Sequence, residues 1–90
     1  MLERRVEVIN ELGLHARAAA QLVRTARKFS CHIILTRDDN GESANAKSIL
    51  SLLYLAAAKG VIISIAVDGE DEIDALSTVE RLFLDGFGEM

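Results

Sequence analysis

The hydrophobic period changes back and forth along the chain, and this alternation limits the fold more than any single residue does. Residues 4–9 alternate, with Val6 and Val8 on one face, which is the period of a half-buried strand. Residues 10–13 punctuate the chain with a turn, and from residue 16 to 29 the apolar positions Ala19, Leu22, Val23, Ala26 and Phe29 recur at helical spacing. Residues 31–37 return to strand character, and Asp38-Asp39-Asn40-Gly41 is a hairpin turn leading into a short third strand over 42–44. A very apolar second helix is expected over 47–58, ended by Lys59-Gly60. A fourth strand is expected over 61–67. An acidic helix over 71–84 should turn Ile73, Leu76, Val79, Leu82 and Phe83 inward before Gly86 stops it.

The order is therefore βαββαβα, with two βα units of similar grammar. That order predicts an α+β fold of the split βαβ type, with a four-stranded antiparallel sheet and three helices packed on one face. With 90 residues, half of them hydrophobic, the chain can bury a core as a single domain over 1–90. Cys31 is the only cysteine, which excludes an internal disulfide and a CxxC metal site, and its apolar neighbours make it a core residue. The segment MLERRVEVIN holds no apolar signal-peptide core, and no apolar stretch reaches membrane-spanning length, so a cytoplasmic protein is expected.

The net charge of −4 is unevenly placed. Arg17, Arg24, Arg27 and Lys28 fall in one acid-free stretch, whereas residues 68–90 are acidic with Arg81 as the only cation. An acidic protein with one basic patch is a poor nucleic-acid binder and a better candidate for docking an acidic protein partner. Arg17, Gln21, Arg24 and Lys28 form a polar stripe along the first helix, with Arg27 beside it. On the second helix, Leu52, Leu55 and Ala56 are expected to face the sheet, leaving Leu50, Leu53 and Tyr54 turned elsewhere.

His15 stands at the mouth of the first helix. The N–H groups there lack intrahelical partners, and the helix dipole adds partial positive charge, so a phosphoryl group would be well held. Arg17 can add a charge-assisted contact. A neutral imidazole is a competent nucleophile. Zinc would need more ligands than His32 supplies, and a Ser-His-Asp triad would need a serine nucleophile and an acid to orient the ring, neither of which the sequence suggests. On composition alone, phosphate chemistry and a plain helix cap both remain open for His15, although histidine is not a favoured N-cap.

Three segments resolve that choice by resemblance. GLHARAAA resembles the active-site segment of the histidine phosphocarrier family, HPr, of the phosphoenolpyruvate-dependent phosphotransferase system. NAKSILSLLYLAAAKG resembles that family's second signature, and GEDEIDAL the start of its last helix. The resemblance implies an open-faced β-sandwich and a carrier rather than an enzyme, with no cofactor and no metal. It implies that His15 accepts a phosphoryl group from enzyme I on Nδ1 and passes it to an EIIA-type acceptor, with Arg17 holding the phosphoryl oxygens. It also implies docking through Ile49, Leu50 and Leu53 beside the basic stripe, and a Ser48 of the kind that a dedicated kinase phosphorylates in some bacteria. A carrier docking two partners on one face is expected to be a monomer. The family's proline three residues after the histidine is replaced by Ala18. A nitrogen-related regulatory relay is the alternative to sugar uptake. A small phosphatase-like enzyme, or a binding protein that has lost transfer, are the readings from other classes.

Overall fold

The computed structural model describes residues 1–89. The chain forms β1 (Leu2–Glu7), α1 (Ala16–Ala26), β2 (His32–Arg37), β3 (Ser43–Asn45), α2 (Ile49–Leu55), β4 (Ile62–Asp68) and α3 (Glu72–Leu84), followed by a short 3-10 turn over Gly86–Gly88. The sheet order is β1-β4-β2-β3, antiparallel throughout. β4 therefore inserts between the strands that α1 connects, which is the split βαβ arrangement read from the element order.

Period-two alternation sets the register. Ile33 faces Val67 and Leu35 faces Ile65 across β2 and β4, while Val6 faces Ile63 across β1 and β4, and all six are buried. The helices close over that face through Ala19, Leu22 and Ala26 of α1, Leu52 and Leu55 of α2, and Ala75, Leu76, Val79 and Phe83 of α3. Cys31 lies in this core, where burial pushes its thiol up from the ordinary value.

Several expected boundaries shift, each for a local reason. α1 stops at Ala26 rather than Phe29, because Lys28 and Phe29 donate to Thr25 and Ala26 in a tightened final turn. α2 ends at Leu55, well short of Lys59-Gly60, because Ala56 adopts φ +52. Leaving the helix there lets the Ala57 carbonyl accept from Leu14 N–H at 2.9 Å. Arg37 Nη1 then takes the freed carbonyls of Leu55 and Ala56 at 2.9 and 3.2 Å. Ala57, not Ala56, is the residue that packs inward. Ile73 is 73% exposed instead of inward, because the buried stripe of α3 centres on Ala75, Leu76, Val79 and Phe83. At 100° per residue, Ile73 falls about a quarter-turn off that stripe.

Candidate functional site

The loop between β1 and α1 is held from two sides. Leu14 is buried and bonded to Ala57, and Gly13 sits against the same segment at φ +63. A β-carbon on Gly13 would lie 2.5 Å from the Ala57 carbonyl oxygen, so only glycine permits this approach. The glycine-leucine pair of GLH thereby delivers His15 to one position at the head of α1.

His15 is the N-cap residue in extended conformation, yet its ring makes no capping bond. That removes the plain-cap reading. The intrahelical ladder begins with Ala19 N–H donating to the His15 carbonyl at 2.8 Å. The N–H groups of Ala16, Arg17 and Ala18 precede that first rung and aim out of the helix mouth. The first turn carries no acid. Arg17, Gln21 and Arg24 line one open groove together with Glu11, Leu12 and residues 87–89. A site of fixed backbone donors, a dipole end, a guanidinium and a half-buried imidazole suits a phosphoryl group.

The sequence pointed to no acid for this ring, but the structure supplies one from 74 residues away. Glu89 Oε2 meets His15 Nε2, and Glu89 Oε1 accepts from Asn10 Nδ2 at 2.9 Å. Asn10 Nδ2 also donates to the Gly13 carbonyl at 2.8 Å. The Asn10 bond, with help from His15 and the positive field of Arg17, holds the Glu89 carboxyl below the ordinary value of 4.5. No serine joins this ring. The available signal was GFGE near the chain's end, where two glycines flanking an aromatic permit a sharp return.

The remaining expected residues divide into two groups. Arg24 joins Arg17 on the groove, whereas Arg27 is turned to the Lys47 carbonyl, at 3.2 Å from Nη2, and ties α1 to the start of α2. Lys28 is exposed. Ser48 is the N-cap of α2, its hydroxyl accepting from Ser51 N–H at 3.3 Å. Ile49, Leu50 and Leu53 are exposed on α2, and Tyr54 more so at 83%. Among the described residues, no three His, Cys, Asp or Glu side chains gather as a metal site. None of the described helices is long and apolar enough to cross a membrane.

Comparison with known proteins agrees with this geometry. The family described as the PTS HPr component phosphorylation site matches residues 2–85. The phosphocarrier protein HPr of Xylella fastidiosa is 45% identical over 89 residues, covering 99% of this chain and 98% of the relative. The phosphocarrier protein NPr of Escherichia coli is 42% identical over 84 residues, covering 93% of this chain and 92% of the relative. Among solved structures, HPr-C-His from Thermoanaerobacter tengcongensis superposes with a TM-score of 0.92 at 38% identity, covering 100% of this chain and 99% of that one.

Proposed function

The chain belongs to the HPr family of the phosphotransferase system, whose members are phosphocarriers rather than enzymes, and from that premise we propose the route its phosphoryl group takes. His15 accepts the group from phosphorylated enzyme I and hands it to an EIIA-type acceptor, with residues 1–90 working as one cytoplasmic, monomeric carrier domain. Arg17 and the free N–H groups of the first turn of α1 hold the phosphoryl oxygens. The observation that carries this reading is a histidine at a helix mouth whose ring caps nothing, with Arg17 on the adjoining groove.

Docking uses two adjoining surfaces. Arg24, Arg27 and Lys28 supply positive charge that steers an acidic partner onto α1. Ile49, Leu50 and Leu53 of α2 supply apolar area, with Leu50 64% exposed. Ser48 is the regulatory position. A phosphate on its hydroxyl would put negative charge beside that apolar patch and repel the acidic partner that the stripe attracts. The relay served is either sugar uptake or its nitrogen-related counterpart. The nitrogen-related relay is supported by the likeness to NPr as well as HPr proteins.

The test is incubation with phosphoenolpyruvate and enzyme I. The expected product carries an acid-labile, base-stable phosphate that is absent from His15→Ala. Persistence of that phosphate in His15→Ala would overturn the role of His15. Turnover of small phosphoesters without acceptance from enzyme I would favour the phosphatase-like reading instead.

A further inference from the structure

The chain's last described turn is built to bring one carboxylate onto one ring nitrogen. Gly86, Phe87 and Gly88 all take positive φ, at 58°, 55° and 73°, and so reverse the chain after α3. A residue with a β-carbon enters this region only against a steric penalty. Phe87 is held there because its ring is buried, packed edge-on to Phe83 with centroids 4.9 Å apart. Glu89 follows two residues later, between Asn10 and His15.

Asn10 is an independent sign of design at the same place. It is the only buried polar side chain among the described residues, at 1% exposure. Both atoms facing its Nδ2, the Gly13 carbonyl and the Glu89 carboxylate, are acceptors, so the amide's orientation is fixed by chemistry. Its Oδ1 is buried without a partner among the described residues. A core that tolerates an unmatched oxygen gains something from the other end of that amide, and what it gains is a fixed Glu89.

We infer that Glu89 is a positioning residue for phosphoryl transfer at His15: clamped by Asn10, its carboxylate accepts the Nε2–H bond and leaves the Nδ1 lone pair as the nucleophile. The inference rests on the phosphocarrier reading and deepens it. An ionised carboxylate offers only lone pairs, so the ring nitrogen facing it carries the hydrogen. In a neutral ring the free pair is then on Nδ1. That pair forms the new N–P bond, while the donor's bond to phosphorus breaks and its electrons return to the donor's leaving atom. Nε2 keeps its proton throughout, so the phosphorylated ring is cationic and lies between the phosphoryl group and Glu89. Discharge reverses these steps, and the acceptor's lone pair takes the phosphorus. The carboxylate thus orients the ring, the part that an acid plays behind a catalytic histidine.

The experiment uses the full chain labelled with 15N in its histidine rings, as wild type, Glu89→Gln and Phe87→Ala. Phe87→Ala releases the turn without touching the ring. In wild type at alkaline pH, His15 should show a protonated Nε2 and an unprotonated Nδ1. Both variants should show a mixed tautomer, with the His32 ring unchanged as the internal control. With enzyme I as donor, both variants should lose roughly tenfold in the rate of phosphoryl transfer at saturation, the size expected for a charge-assisted hydrogen bond, with KM held within about twofold. Wild-type ring signals and transfer in Glu89→Gln would overturn the inference. A raised KM with unaltered ring nitrogens would overturn it too, and would assign Glu89 to docking. If wild type itself accepts no phosphate from enzyme I, the phosphocarrier reading fails, and the ring spectra alone still decide whether Glu89 sets the tautomer.

Discussion

Replacing Gly13 with alanine tests how the loop delivers His15. Two separate penalties act at this position. Gly13 has φ +63, and an L-residue in that region costs about 1–2 kcal/mol. Its new β-carbon would also lie 2.5 Å from the Ala57 oxygen and 2.9 Å from the Ala58 Cα, both backbone atoms that cannot swing aside. Forcing them apart is overpacking, worth about 1–3 kcal/mol. It also endangers the Leu14–Ala57 hydrogen bond, at 2.9 Å, worth about 0.5–1.5 kcal/mol. Gly13→Ala should therefore lose about 2.5–6.5 kcal/mol by these ranges. Gly41 provides the control, since it has φ +75 and nothing within 4 Å of a built β-carbon. Gly41→Ala meets the backbone penalty alone and should lose about 1–2 kcal/mol. Urea unfolding of both variants beside wild type measures the difference, which at a typical slope for a small protein should move the midpoints apart by about 1 M or more. Because His15 follows two residues later, Gly13→Ala should also transfer phosphate more slowly under conditions where it stays folded, and Gly41→Ala should not. Equal losses for the two variants, within about 0.5 kcal/mol, would refute the claim that contact with Ala57 positions this loop.

Two further outcomes follow from single side chains. The Asp71 carboxylate accepts from Ser30 N–H at 2.8 Å and Cys31 N–H at 3.0 Å, and these bonds, led by the one from Ser30, hold it below the ordinary value of 3.8. A depressed folded pKa lends stability above the unfolded value and loses it as pH falls through the folded one. Asp71→Asn should be less stable than wild type at neutral pH, and urea midpoints should converge once pH drops below 3.8; a gap independent of pH would contradict this. Ala18 precedes the first rung of α1, so proline there removes no helical hydrogen bond. Ala18→Pro and wild type should therefore exchange phosphate with enzyme I within about tenfold of each other, and a wild type slower by several orders of magnitude would show that the proline matters for more than helix entry.

The element order and the position of His15 were legible because they are set locally. Val6 and Val8, the positions Ala19, Leu22, Val23 and Ala26, and Leu76, Val79 and Phe83 carry the period of their own element, and all are buried or packed against the core as that period requires. What was not legible depends on contacts distant in sequence. Alanine is the best helix former, so nothing in Ala56 signals a left-handed residue. α2 ends there because residues remote in sequence claim the carbonyls of this turn, Arg37 those of Leu55 and Ala56 and Leu14 that of Ala57 just past the helix. Ile73 looks like a core residue in a window of apolar spacing, but the sheet selects the face of Ala75, Leu76, Val79 and Phe83, and small Ala75 is buried while Ile73 is not. Glu89 was invisible for the same reason. It joins His15 only through the packing of Phe87 and the reversal at Gly86–Gly88.

The same contrast between local and distant parts shapes how, on the proposed route, one site would both take and release a group. The donors of the first turn belong to a rigid helix and need no rearrangement as charge develops on the phosphoryl oxygens. Arg17 is exposed on an open groove and is screened by solvent, so on the proposed route its hold on the group would be modest and easily exchanged for a partner's cation. In the inferred role Glu89 meets Nε2, across the ring from Nδ1, so it would orient the imidazole without adding to the grip on the group. A cage of buried cations would bind a dianion more tightly and would turn the carrier into a trap. On the proposed route, with orientation supplied by Asn10 and Glu89 and retention left to backbone dipoles and one exposed guanidinium, the nucleophile would be well defined while the phosphoryl group stays within reach of the next acceptor.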